Sequence, residues 1–189
     1  MLRRILMTMA AAAAVAACGD DDSQSPVPVA AEYALAIEGA LTETATGPAY
    51  FGTDTDGEGG DVWVLIMGQD TSRHLVVAGR AGSARPAPGS YPIVDPSGPA
   101  AGWTLVHVVS NGDELLGLFL AESGTVRIDA SSAQEVRGTL DFEAVGVLGE
   151  VVDTIQVSGT FRAAPAPAGA GTPLDVAWPT DSRTAPHRD

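Results

Sequence analysis

The sequence predicts an all-β fold: an antiparallel β-sandwich or partly closed barrel, after a cleaved signal peptide and a flexible tether. Three observations carry that prediction. Apolar and polar residues alternate with a period of two, most cleanly in the C-terminal third. Short apolar runs are separated by Gly-, Pro-, Asn- and Asp-containing turn signals. No stretch beyond the leader repeats its apolar residues at helical spacing.

The leader comes first. Arg3 and Arg4 are followed by Ile5 to Ala17, which is apolar or small apart from Thr8. A positive start, a short apolar core and small residues at a cut site make a secretory signal. The apolar run is shorter than the ~20 residues of a membrane-spanning helix. Val15-Ala16-Ala17-Cys18 resembles the lipobox of bacterial lipoproteins, with Val15 where Leu is more usual. The resemblance implies that residues 1–17 are removed and that Cys18 becomes the lipidated first residue. It also implies a membrane partner through the lipid anchor. Two or more acyl chains hold a protein stably where one does so only marginally. In enterobacterial lipoproteins an Asp directly after the cysteine retains the protein in the inner membrane. Here that position is Gly19, which favours the outer membrane.

Residues 18–31 read as the tether. Asp20-Asp21-Asp22-Ser23-Gln24-Ser25 is polar, and Pro26-Val27-Pro28-Val29 is stiff and extended. The folded domain is expected over 32–163. Tyr33, Leu35, Ile37 and Leu41 alternate with small or polar residues along the first strand. Ala49-Tyr50-Phe51 is a short second strand. Val62 to Met67 and His74 to Gly79 are apolar runs of strand length, joined by Gly68-Gln69-Asp70-Thr71-Ser72. Arg80 to Gly89 is a loop before a short segment, Tyr91-Pro92-Ile93-Val94, and Asp95 to Ala101 is another loop. Trp103 to Val109 and Leu115 to Ala121 flank the tight turn Asn111-Gly112-Asp113. Three alternating strands follow, on Val126/Ile128/Ala130, Val136/Leu140/Phe142 and Ile155/Val157/Phe161, each with one buried and one wet face. The segment 164–189 is a Pro/Ala/Gly-rich tail. Its one apolar cluster, Leu174/Val176/Trp178, either stays disordered or docks loosely on the sheet.

A local similarity recurs in Ile37-Glu38-Gly39-Ala40-Leu41, Val136-Arg137-Gly138-Thr139-Leu140 and Val157-Ser158-Gly159-Thr160-Phe161. Glycine on an apolar strand face marks a bend or a close approach. Large side chains of the opposing layer, with Trp63 and Trp103 the candidates, are expected over these glycines. A binding slot floored by them is the alternative. The Gly-Thr-Phe pattern near the end resembles the final strands of small uncharacterised β-sandwich domains of bacterial lipoproteins, a likeness that implies no activity.

Composition limits the function. The net charge is −14, and losing Arg3 and Arg4 takes it to −16. All ten basic residues are Arg. Phosphate affinity needs clustered positive charge, so nucleic acid is excluded as a partner. Cys18 is the only cysteine, which rules out an intramolecular disulfide, a Cys-ligated metal and a Cys nucleophile in the domain.

Asp54, Asp56, Glu58 and Asp61 form an acidic loop with Gly57 at the turn. The loop resembles part of an Asp-x-Asp-x-Asp-Gly calcium loop but departs from its spacing and lacks a twelfth-position Glu, so weak Ca2+ binding is the only cofactor expectation. A solvated acidic hairpin is the plainer reading. His74 and His107 fall on apolar strands and read as packed or hydrogen-bonded residues. A two-His metal site would need them on adjacent strands facing one way, with a carboxylate nearby. The chain contains neither a Gly-x-Ser-x-Gly elbow nor a Ser-x-x-Lys motif, and no Gly-rich phosphate loop precedes a helix.

Three strands are apolar on both faces, which an antiparallel sheet with one wet face should not be. Their second face, with Val62, Val64, Ile66, Val106, Val108, Leu116, Leu118 and Leu120, is expected either to carry an intramolecular cover or to be an apolar docking surface. The resulting expectation is a membrane-anchored binding or interaction module of the cell envelope, with no catalytic residues assigned and an envelope protein or glycan as partner. A glycan-active enzyme using a carboxylate pair and a purely structural envelope protein are the alternatives.

Overall fold

The computed structural model describes residues 30–55, 59–69, 72–95 and 102–167. Cys18, Asp56, Glu58 and the apolar cluster of the tail lie outside them. The described chain is all-β and contains no helix; it forms ten strands in one mixed sheet that closes partly into a ring. The strands are β1 (Glu32–Gly39), β2 (Glu43–Gly47), β3 (Ala49–Thr55), β4 (Asp61–Met67), β5 (His74–Ala81), β6 (Gly89–Ile93), β7 (Trp103–Asn111), β8 (Glu114–Ser131), β9 (Val136–Leu148) and β10 (Val151–Pro165). The pairing order is β2-β1-β10-β3-β4-β5-β7-β6-β8-β9, with β10–β9 and β7–β8 pairing as well.

Three long strands make this topology possible. β9 pairs along its length with β8 on one side and β10 on the other. β8 then divides its other edge, giving its first residues to β7 and Gly124 to Ile128 to β6. β10 does the same, with Ile155 to Arg162 on β1 and Ala164 and Pro165 on β3. That last contact is parallel, two residue pairs long, and completes the ring; Ala166 N–H extends it by donating to Phe51 O at 2.9 Å.

The interior follows from the alternation. Leu35, Ile37, Trp63, Leu65, Trp103, Phe119, Phe142, Ile155 and Val157 are buried in one continuous core. Trp63 meets Trp103 edge-on at 5.5 Å and stacks on Phe51 at 5.7 Å, both favourable aromatic geometries.

Several boundaries differ from expectation. β2 was not anticipated; its only apolar residue is Ala45, which is buried, so hydropathy offered little to read. Leu115–Ala121 and Val126–Ala130 are one strand, β8. The polar Glu122-Ser123-Gly124 between them is a β-bulge that shifts the register between Ala121 and Ser123, and Gly124 supplies its positive φ of 142°. The recurring glycines are close approaches, but not of tryptophan. A side chain at Gly138 would strike the Arg127 backbone and the Phe161 ring, one at Gly159 the backbone of Ala34 and Leu35, and one at Gly39 the backbone of Thr154. The crowding comes from neighbouring strands.

Candidate functional site

One polar network enters the core. Glu43 opens β2, Arg73 precedes β5, His74 opens β5, and His107 sits in mid-β7. In the β5–β7 register His74 lies opposite Val109 and His107 opposite Val76. The two histidines are therefore diagonal neighbours on the same, inward face. β2 approaches from across the core. Arg73 donates to Glu43 twice, from Nε at 2.8 Å and from Nη2 at 2.6 Å. Glu43 Oε2 lies 2.9 Å from His74 Nε2, and His74 Nδ1 lies 3.2 Å from His107 Nε2. Tyr33 on β1 donates to the His74 carbonyl at 3.4 Å. The network thus joins the β1–β2 hairpin to β5 and β7.

Exposure falls steadily inward: 48% for Arg73, 30% for Glu43, 5% for His74 and 0% for His107. The carboxylate can only accept, so His74 carries its hydrogen on Nε2. In neutral His74 the Nδ1 lone pair then accepts from His107 Nε2–H. That assignment leaves His107 Nδ1 as a bare lone pair, and it is buried without a hydrogen-bond partner. The ring of Phe119 lies 6.3 Å from that of His107.

The proton affinities follow from these surroundings. Burial, and then the neighbouring His74, press the His107 pKa down from its usual 6.5 to about 3. The Arg73 hydrogen bonds, and then that of His74, hold Glu43 at about 2 instead of 4.5. Arg73 is raised by Glu43 in return. At neutral pH the pieces are a charged fork at the surface, the His74 ring behind it and a neutral His107 innermost. They fasten a strand to the sheet across the core.

The sequence condition for a two-His site is met in part. The two rings sit on adjacent strands and face the same way. However, Glu43 and His107 occupy opposite nitrogens of His74, so the three groups run in a line instead of converging on one point. No group of three or more His, Cys, Asp or Glu side chains able to hold a metal occurs among the described residues. Of the acidic loop, Asp54 and Asp61 are described. They belong to the β3–β4 hairpin, where Asp61 pairs with Thr55, and Asp54 Oδ1 accepts from Thr55 N–H at 2.8 Å.

The expected apolar face is divided. Register aligns Leu75, Val108, Leu118, Val147 and Val152 in one outward row across five strands. A second row runs through Ile66, Val77, Val106, Leu120 and Val145. Val64, Ile66 and Val106 are buried, Val62, Val108 and Leu120 are half-buried, and Leu118 is exposed. Leu116 leaves the face altogether. A register shift between Val109 and Ser110 displaces its part of β8, and it packs against the interior core. Elsewhere an open recess of about 780 Å3 is lined by Glu32, Tyr33, Gly47, Arg137, Gly138 and Arg162, among others. Two segments of the glycine similarity border it, but Arg162 is already paired with Glu135 at 2.6 Å. Comparison with family models, curated proteins and solved structures finds no match to this chain.

Proposed function

We propose that the chain is a lipid-anchored extracytoplasmic lipoprotein that serves as a binding or interaction module of the cell envelope, with a protein as its partner. The leader, Cys18 and the tether support the anchor, and Gly19 supports the outer membrane. The observation that carries the binding role is an uncovered aliphatic patch. Leu118 (40% exposed), Val147 (43%) and Val152 (71%) adjoin in the first outward row, near the end of the ring where β7 turns into β8 and β9 into β10. Contiguous exposed apolar surface marks an interaction site, whereas scattered apolar residues do not. All three side chains are aliphatic. Sugars are held largely against aromatic ring faces, so this surface suits the apolar core of a protein interface better than a glycan.

Two measurements test the reading. Mass spectrometry of the N-terminus from native membranes is expected to give diacylglyceryl-modified Cys18 with residues 1–17 gone; an unmodified thiol overturns the anchor. A photo-crosslinker at position 152 in the lipidated protein is expected to form one discrete adduct with an envelope protein, lost in Val147→Glu. An adduct pattern unchanged by Val147→Glu, or no adduct, overturns the binding role of this patch.

A further inference from the structure

We propose that residues 172–178 lie across the outer face of β4, β5 and β7 and form its second layer, through Leu174, Val176 and Trp178. The same exterior surface supplies its own control. Over β8 and β9 the first row is bare, and Leu118 and Val147 are 40% and 43% exposed. Along the same two rows, Ile66 is 4% exposed, Leu75 8%, Val77 2% and Val106 4%. Flanking strands alone leave the first pair open to solvent, so the second set has a layer over it. The cluster made by Ile66, Leu75, Val77 and Val108 has no member outside β4, β5 and β7. Among the described residues, then, no apolar side chain from another strand packs on this cluster, and an apolar layer over it would come from the rest of the chain.

Composition narrows the choice. Residues 56–58, 70–71, 96–101 and 179–189 contain no large apolar side chain, and the tether 18–29 offers only Val27 and Val29, too short a stretch to span three strands. The leader does, but it is cleaved in a lipoprotein, and to that extent the inference rests on the function proposed above. The tail contains Leu174, Val176 and Trp178 at a spacing of two, which puts all three on one side of an extended chain. Geometry points the same way. The chain leaves β10 at Pro165 and Ala166, which share a recess with Val64 and Ile66 on this face. From Pro167 to Leu174 an extended chain reaches roughly 23 Å, and crossing three strands needs only about 10–15 Å.

Hydrogen exchange on the full chain isolated from membranes tests the proposal. Amides of 172–178 are expected to exchange at least about tenfold more slowly than those of 180–189. A chain ending at Pro167 is expected to melt at a lower temperature and to bind an apolar dye such as anilinonaphthalene sulfonate. A synthetic peptide of residues 168–180 should reverse both changes. If the shortened chain does not fold, Trp178→Ala in the full chain should still raise dye binding. The proposal is overturned if 172–178 exchange as fast as 180–189, or if shortening leaves melting and dye binding unchanged. A dimer by light scattering with an unprotected tail would assign the face to a second copy and also overturn it. Protection of retained residues 5–17 would assign it to the leader, and the N-terminal mass would then show that the lipoprotein reading had failed with it.

Discussion

The two halves of β8 are one strand in two environments. After the bulge, Val126 and Ile128 point into the core while Thr125, Arg127 and Asp129 meet water. Before it, Phe119 and Ala121 fill the core, yet the outward positions are Leu118 and Leu120. The inward faces are equivalent; only the exteriors differ. Alternation therefore reports what lies outside a strand as well as what lies inside. A polar exterior needs no explanation, and an apolar one is a surface kept for contact or cover.

A charge should separate the halves most sharply. Ile128→Asp buries an unpaired carboxylate and is expected to abolish the folded state, read as loss of the cooperative urea transition. Leu118→Asp, on the bare exterior, should stay within about 0.5 kcal/mol of the parent. Equal losses would erase the distinction.

A close approach defines the next test. Gly146 on β9 lies opposite Phe119, and a Cβ there would strike the Leu118 carbonyl and the Phe119 backbone. Gly146→Val is expected to cost about 3 kcal/mol in urea denaturation through overpacking. Gly149→Ala, at a turn where no atom lies within 4 Å of an added Cβ but φ is +63°, should cost about 1 kcal/mol.

The buried histidine contrasts with the aliphatic exterior through pH. His107 takes up a proton at about 3 in the folded chain and near 6.5 when unfolded. Below pH 6.5 the unfolded state binds more protons, so stability falls as pH falls through the window from 6.5 to about 3. The limiting slope is roughly 1.4 kcal/mol per pH unit. Glu43 titrates at about 2 folded against 4.5 unfolded, so its contribution is present above 4.5 and is also lost on acidification, in the lower window. His107→Gln is expected to flatten the stability profile between pH 6.5 and 4.5 and leave the lower limb. An unchanged profile would show that His107 is not the titrating group.

Arg73→Gln should lower stability only slightly in urea denaturation, because the fork is half exposed. The loss should shrink further in 1 M salt.

The strands with clean alternation, β1, β9 and β10, were legible in the sequence, and so was the doubly apolar character of β4, β7 and the start of β8. What escaped depended on partners distant in the chain. Thr44, Ala45 and Thr46 carry too little hydropathy to announce a strand; pairing with Tyr33 to Ile37 makes them one. Glu122-Ser123-Gly124 has the composition of a turn, and only continuous pairing with β9 makes it a bulge. The polar network was half visible. His74 and His107 could be named as residues on apolar strands, but Glu43 could not be joined to them. Its contact with His74 spans 31 positions and depends on how the β1–β2 hairpin crosses the core. The two outward rows likewise need the register, which no single strand encodes.

β10, the last of the described strands, joins three partners: β1, β9 and, for two residues, β3. In a chain synthesised from its N-terminus onward, this latch arrives only once residue 165 has been made. Until then the earlier strands have no means of locking into their final circle.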